Sequence, residues 1–143
     1  MEQVVLRLTK PVSGVWRTVY MDNYFTSVCT FKKMMAFKTW ACGTVRAGRG
    51  LPADLEKAVM KEKASGKNAT MVAGDYFWKH GDDYFLAAAW MDSGPCVGLS
   101  TRHDGHEAAV LRRMKGELGR VDRSCMDIFS DYNKYMGGVH PQP

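Results

Sequence analysis

Residues 15–45 constrain the fold more than any other part of the chain, because two periodicities follow each other there. Val15-Trp16-Arg17-Thr18-Val19-Tyr20-Met21-Asp22 is rich in β-branched and aromatic side chains, the composition of a strand, and it ends at an aspartate. Tyr24, Val28, Phe31 and Met35 then recur at helical spacing, flanked by Phe25 and Cys29, while Thr26, Thr30, Lys32 and Lys33 fall on other faces. That spacing predicts an amphipathic helix from 23 to about 37. A second short strand is expected at 39–45, and Arg46-Ala47-Gly48-Arg49-Gly50 is loop chemistry, with two glycines and no periodicity. Strand, helix and strand in succession point to an α/β layer structure.

Further along, 51–63 reads as a loop entering a polar helix, with Pro52 near its first turn and Asp54 and Glu56 early. Residues 71–79, 83–91 and 96–101 are strand-like runs separated by His80-Gly81-Asp82 and Asp92-Ser93-Gly94-Pro95, both turn signals. They predict a small antiparallel meander. Residues 102–123 are charged, glycine-punctuated and weakly patterned, so a loop with a helical turn around 108–114 is expected. A helix is expected at 126–136, stopped by Gly137-Gly138.

The chain has 143 residues, 45% of them hydrophobic and 24% charged, enough for one globular core. Its net charge of +5 suits a polyanion partner without requiring one. Cys29, Cys42, Cys96 and Cys125 stand singly, which argues against a zinc module or a disulfide framework and for a reducing, intracellular setting. Glu2, Arg7 and Lys10 interrupt the N-terminal apolar stretch, unlike a signal peptide, and no apolar run reaches the roughly 20 residues of a membrane span.

Three blocks carry a family resemblance. Val19-Tyr20-Met21-Asp22-Asn23-Tyr24-Phe25-Thr26-Ser27, Ala41-Cys42-Gly43-Thr44-Val45-Arg46 and Asp131-Tyr132-Asn133-Lys134-Tyr135-Met136-Gly137-Gly138-Val139 resemble the piggyBac transposases and their domesticated derivatives. Gly50-Leu51-Pro52, Leu99-Ser100-Thr101 and His103-Asp104 add supporting matches. The resemblance implies a partial RNase H-like catalytic domain with a β-rich insertion and a C-terminal helix. On that division 1–50 belong to the core, 51–123 to the insertion with its meander, and 124–143 to a returning core helix and truncated tail.

The resemblance also implies metal-dependent DNA cleavage and strand transfer, with three aspartates holding Mg²⁺ or Mn²⁺. Such cations take oxygen ligands, and a pair of them about 4 Å apart can clamp both the attacking and the leaving oxygen. Asp22 matches the second of those aspartates and is the implied metal ligand. The third position is His140, whose neutral nitrogen adds no negative charge to a Mg²⁺ pair, and a further family aspartate falls at Pro143. The 21 residues before Asp22 contain no aspartate to serve as the first.

The expectation is therefore a transposase-derived, nuclear chain that does not cut DNA alone and binds no metal ion. DNA is the expected partner, through Arg46, Arg49 and Lys134. Alternatives are a domesticated protein-interaction module that associates through an uncovered sheet, or a decayed element product without function.

Blander readings stand beside these. Asp22 suits an N-cap of the helix that follows. Arg112, Arg113, Lys115, Arg120 and Arg123, interleaved with Glu117 and Asp122, read as a solvated face. His103 and His106 have helical spacing but no third zinc ligand at a suitable distance. Tyr76-Phe77-Trp78, Tyr84-Phe85 and Trp90 read as the core of the meander rather than as base-stacking platforms.

Overall fold

A computed structural model describes residues 1–65, 70–81, 85–113, 116 and 118–138. The elements in chain order are α1 (Glu2–Thr9), β1 (Thr18–Met21), α2 (Val28–Ala36), β2 (Trp40–Thr44), α3 (Ala53–Ser65) and β3 (Tyr76–His80). They continue with β4 (Leu86–Met91), β5 (Pro95–Ser100), β6 (Glu107–Arg113), β7 (Arg120–Met126) and α4 (Asp127–Tyr135).

One five-stranded sheet of order β1-β2-β5-β4-β3 organises the chain. β1 and β2 run parallel, with Met21 opposite Gly43, as expected of two strands joined through a helix. The predicted meander forms, and it extends this sheet: β5 pairs antiparallel with β2, then β4 with β5 and β3 with β4. Residues from both sides of position 50 thus share one sheet.

Every residue of β4 is buried, as a central strand with both faces covered requires. Side-chain alternation sends Phe85, Ala87 and Ala89 into one core with Val28, Phe31 and Met34 of α2 and Leu55 and Val59 of α3. Leu86, Ala88 and Trp90 enter the other core, against Ile128, Phe129 and Tyr132 of α4 and Cys125. Helices on both faces of a mixed sheet give the α/β architecture expected, consistent with a partial RNase H-like domain.

Three local readings need correction. Helix α2 begins at Val28, because Ser27 Oγ accepts a 3.1 Å hydrogen bond from the Thr30 N–H and caps it. Tyr24 is consequently left outside the helix and exposed. Residues 107–113 and 120–126 form a hairpin, β6 with β7, where a loop and helical turn were expected. Only Val110 of β6 is buried, so the alternation that marks a strand is faint in this sequence. Trp78, read as core, is 43% exposed because β3 is an edge strand.

Candidate functional site

Parallel pairing brings the C-terminal ends of β1 and β2 side by side, so Asp22 and Asn23 lie next to the segment leading to Arg46. Arg46 Nε donates to Asn23 Oδ1 at 2.9 Å. The Arg49 carbonyl accepts from the Val28 N–H at 3.0 Å, holding the basic loop against the start of α2. Asp22 itself closes a tight turn. Its Oδ1 accepts from the Tyr24 N–H at 3.0 Å, and its carbonyl accepts from the Thr26 hydroxyl at 2.8 Å. The capping reading of Asp22 is therefore overturned: the side chain serves the turn before α2, and Ser27 serves the helix.

Close packing fixes this turn. A Cβ on Gly43 would lie 2.4 Å from the Met21 carbonyl oxygen and 2.5 Å from Thr26 Oγ1, and Thr26 is fully buried. Glycine is thus demanded on β2 by the approach of the turn to it. Tyr132 of α4 lies close enough to feel the Asp22 charge. Burial pushes its phenol pKa up, a Thr44 hydrogen bond opposes that, and Asp22 adds a smaller upward push.

The residues at this end do not fit a divalent metal pair. Among the described residues no three His, Cys, Asp or Glu side chains are grouped to hold an ion. Asp22 is joined there by an amide, a phenol and a guanidinium. His140 and Pro143, the other positions implied by the resemblance, lie outside the described residues.

Lys134 lies elsewhere. With Arg112, Arg113, Arg120 and Asn133 it lines a cleft of about 410 Å³ between α4 and the β6–β7 hairpin. The structure brings Arg46 to Asn23, the residue after Asp22, and leaves Lys134 in this second basic region. Arg113 and Arg120 stand directly opposite each other in the hairpin register. Arg112 and Arg123 depart from the solvated face expected of them. Asp92 Oδ1 accepts from Arg123 at 2.9 Å, its Oδ2 accepts from Arg112 Nε at 3.2 Å, and Arg112 also donates to Asn133 Oδ1 at 2.7 Å. Arg112 further lies over the Trp90 ring.

His103, dismissed as a metal ligand, is the centre of a polar relay that was not anticipated. Ser100 Oγ and His103 Nδ1 are 2.7 Å apart, and His103 Nε2 is 2.8 Å from Asp131 Oδ2. Ser100 is fully buried and its Oγ also accepts from the Arg102 and His103 N–H groups. With both backbone donors on Oγ, the serine proton is directed to Nδ1, which leaves Nε2–H to donate to Asp131. The relay fastens α4 to the end of β5. The Ser100 hydroxyl of the relay is not presented to solvent. The members of the relay fall in the matches Leu99-Ser100-Thr101 and His103-Asp104 and in the block opening at Asp131, but nothing in their spacing joins them.

The sequence matches the family described as transposase IS4 over residues 1–142. The chain belongs to that transposase family. Its fold also recurs in a solved piggyBac transposase, described as a synaptic complex with hairpin DNA. The likeness has a TM-score of 0.63 and 22% sequence identity, over 96% of this chain and 25% of the other. The chain thus spans about a quarter of that transposase's length. The piggyBac-type resemblance is in this way met by the family and by the fold. Among the described residues no helix is long and apolar enough to cross a membrane.

Proposed function

We propose that this chain is a transposase-derived DNA-binding unit that does not cut DNA on its own. The observation that carries the reading is the cationic cleft of Arg112, Arg113, Arg120 and Lys134. Two arginines held opposite each other repel, and a phosphate between them would turn that repulsion into attraction. Phosphate contacts of this kind position a duplex without reading its sequence. Arg46 and Arg49 offer a second contact on the loop after β2. On this reading 1–50 supply part of the catalytic-core fold, 51–123 the insertion and 124–143 the returning segment, and the chain acts in the nucleus.

The absence of cutting rests on the donor chemistry around Asp22. A single carboxylate lacks the negative charge that a pair of divalent ions requires. Asp22 keeps a place in the turn and a distant inheritance as a ligand.

Fluorescence anisotropy with a labelled 20-base-pair duplex tests the binding claim. Affinity should fall steeply with salt, with a slope of about −0.9 for each phosphate neutralised. Lys134→Glu combined with Arg113→Glu should weaken binding and flatten that slope. No binding at low salt, or a slope unchanged in the double variant, would overturn the reading.

A second reading, a protein-interaction module, is favoured by the free edge of β1. Beside it lies an apolar cleft of about 180 Å³ lined by Val5, Leu8, Val19, Met21 and Phe25. Unpaired edges invite strand addition. Size-exclusion chromatography that gives a concentration-independent monomer would count against it.

A further inference from the structure

The end of β1 remote from Asp22 carries a different kind of chemistry. Trp16, Arg17, Tyr20, Trp40, Arg102 and Tyr135 line an open cleft of about 640 Å³. Two aromatic pairs form its walls. Trp16 and Trp40 have ring centroids 4.4 Å apart, and Tyr20 and Tyr135 lie 5.0 Å apart. Trp16 and Tyr135 remain 44% and 47% exposed, so each offers a ring face or edge to solvent.

The backbone is bent to make this wall. Trp16 adopts φ 57° and Lys38 φ 51°, left-handed values unusual for large side chains. The Trp16 N–H donates to the Lys38 carbonyl at 2.7 Å, and the Gly14 N–H donates to the Phe37 carbonyl at 2.9 Å. These bonds hold the indole beside Trp40. Ordinary burial would not account for the conformation, since the ring it positions stays half in water.

Charge decides what such a cleft would take. No carboxylate lines it, and neither Arg17 nor Arg102 has an ion-pair partner among the described residues. Arg102 Nη1 donates to Thr18 Oγ1 at 3.1 Å, which holds the guanidinium at the rim. On the floor, the Tyr20 hydroxyl is buried with no hydrogen-bond partner among the described residues. Burial pushes that phenol up to about 12, so it stays a donor at neutral pH. A protein segment would need acidic side chains for the two arginines and apolar ones for the rings. An unpaired nucleotide brings a π-face, a polar edge and an anion in one unit.

From this arrangement we propose that the cleft binds unpaired bases of a single-stranded nucleic acid, with Trp16 and Tyr135 as stacking surfaces and Arg17 and Arg102 on the flanking phosphates. The site is distinct from the basic cleft on the hairpin. The two clefts share no lining residue and adjoin at the last turn of α4, where Lys134 Nζ lies 5.0 Å from the centroid of the Tyr135 ring.

The test uses the intact chain and a twelve-residue oligothymidylate, read by quenching of tryptophan fluorescence, with tripolyphosphate as a base-free anion. The oligonucleotide should quench, and tripolyphosphate at equal charge should not displace it. Trp16→Ala should weaken binding roughly 5- to 150-fold, the range that loss of one stacking platform gives. Trp16→Phe should retain most of the affinity. Arg102→Ala, whose side chain is exposed, gives a second route to the same loss should Trp16→Ala fail to fold.

Absence of quenching overturns the proposal. So does unchanged affinity in folded Trp16→Ala and Arg102→Ala, or displacement by tripolyphosphate, which would mark the cleft as an anion site only. A blue shift in emission that grows with protein concentration alone would instead assign the cleft to a second copy of the chain. Arg113→Glu with Arg120→Glu, both on the hairpin cleft and neither lining this one, should weaken duplex binding and leave the quenching intact, so failure of duplex binding and failure of this site are read separately.

Discussion

The two ends of β1 share one strand and differ in nearly everything else. At the C-terminal end, Asp22 is folded into a turn whose hydroxyl, Thr26, is fully buried and whose approach leaves β2 room for glycine alone at position 43. At the N-terminal end, Trp16 and Tyr135 stand half exposed around a cleft lined by two arginines and, among the described residues, by no carboxylate. The family block around Asp22 is therefore satisfied internally, while unspent binding chemistry sits at the other end of β1 and on the α4–hairpin cleft. The Asp22 turn serves structure, whereas other residues of the same family blocks, Tyr20, Lys134 and Tyr135, line the open clefts.

The comparison breaks most visibly at Gly43. Gly43→Ala places a methyl group 2.4 Å from a backbone oxygen that cannot swing away. It should cost about 3 kcal/mol, the upper part of the usual overpacking range, in chemical denaturation. A cost below 1 kcal/mol would mean that the turn is looser than described. Next in size is His103→Ala, which strips buried Ser100 and the half-buried Asp131 of their shared partner. A loss of about 2 kcal/mol is expected, with faster amide exchange along α4.

Glu62 gives a pH-dependent contrast. Its carboxylate accepts from the Thr70 hydroxyl, the Met71 N–H and the Thr70 N–H. Those bonds, the Thr70 side chain first, hold its pKa below the usual 4.5. A depressed folded-state pKa stabilises above the unfolded value, and that contribution is lost as pH falls through the folded one. Wild type should therefore melt above Glu62→Gln at pH 7. The gap should close as the pH drops below 4.5. A gap independent of pH would show that the loss is packing rather than charge.

The smallest effect belongs to Asp22, the metal ligand that the family resemblance implies. Asp22→Asn keeps an acceptor for the Tyr24 N–H and should cost less than about 1 kcal/mol, with duplex affinity unchanged.

Much of the sheet was legible because its strands advertise themselves locally. Thr18–Met21 and Trp40–Thr44 are β-branched, aromatic or small, and the meander turns are marked by His80-Gly81 and Ser93-Gly94-Pro95. The start of α2 was misplaced because Asp22 and Ser27 are both capable caps, and only the turn through Thr26 decides between them. The β6–β7 hairpin was hidden because a surface hairpin with one buried residue on β6 needs little alternation.

Of the candidate site, Asp22 and the Arg46 loop were legible as separate candidates, and the parallel pairing of β1 with β2 is what sets them side by side. Lys134 joins Arg113 and Arg120, and His103 joins Asp131, through pairings far apart in sequence that no local period encodes. The Trp16–Trp40 wall depends on a left-handed backbone that a tryptophan does not announce.

The central claim, nucleic-acid binding without cutting, is tested most directly by incubating the purified chain with supercoiled plasmid in Mg²⁺ or Mn²⁺ while binding is followed by anisotropy. The account expects salt-sensitive binding and an intact supercoiled population. Nicking that disappears in Asp22→Ala would contradict it, because a turn residue would then be holding metal for catalysis.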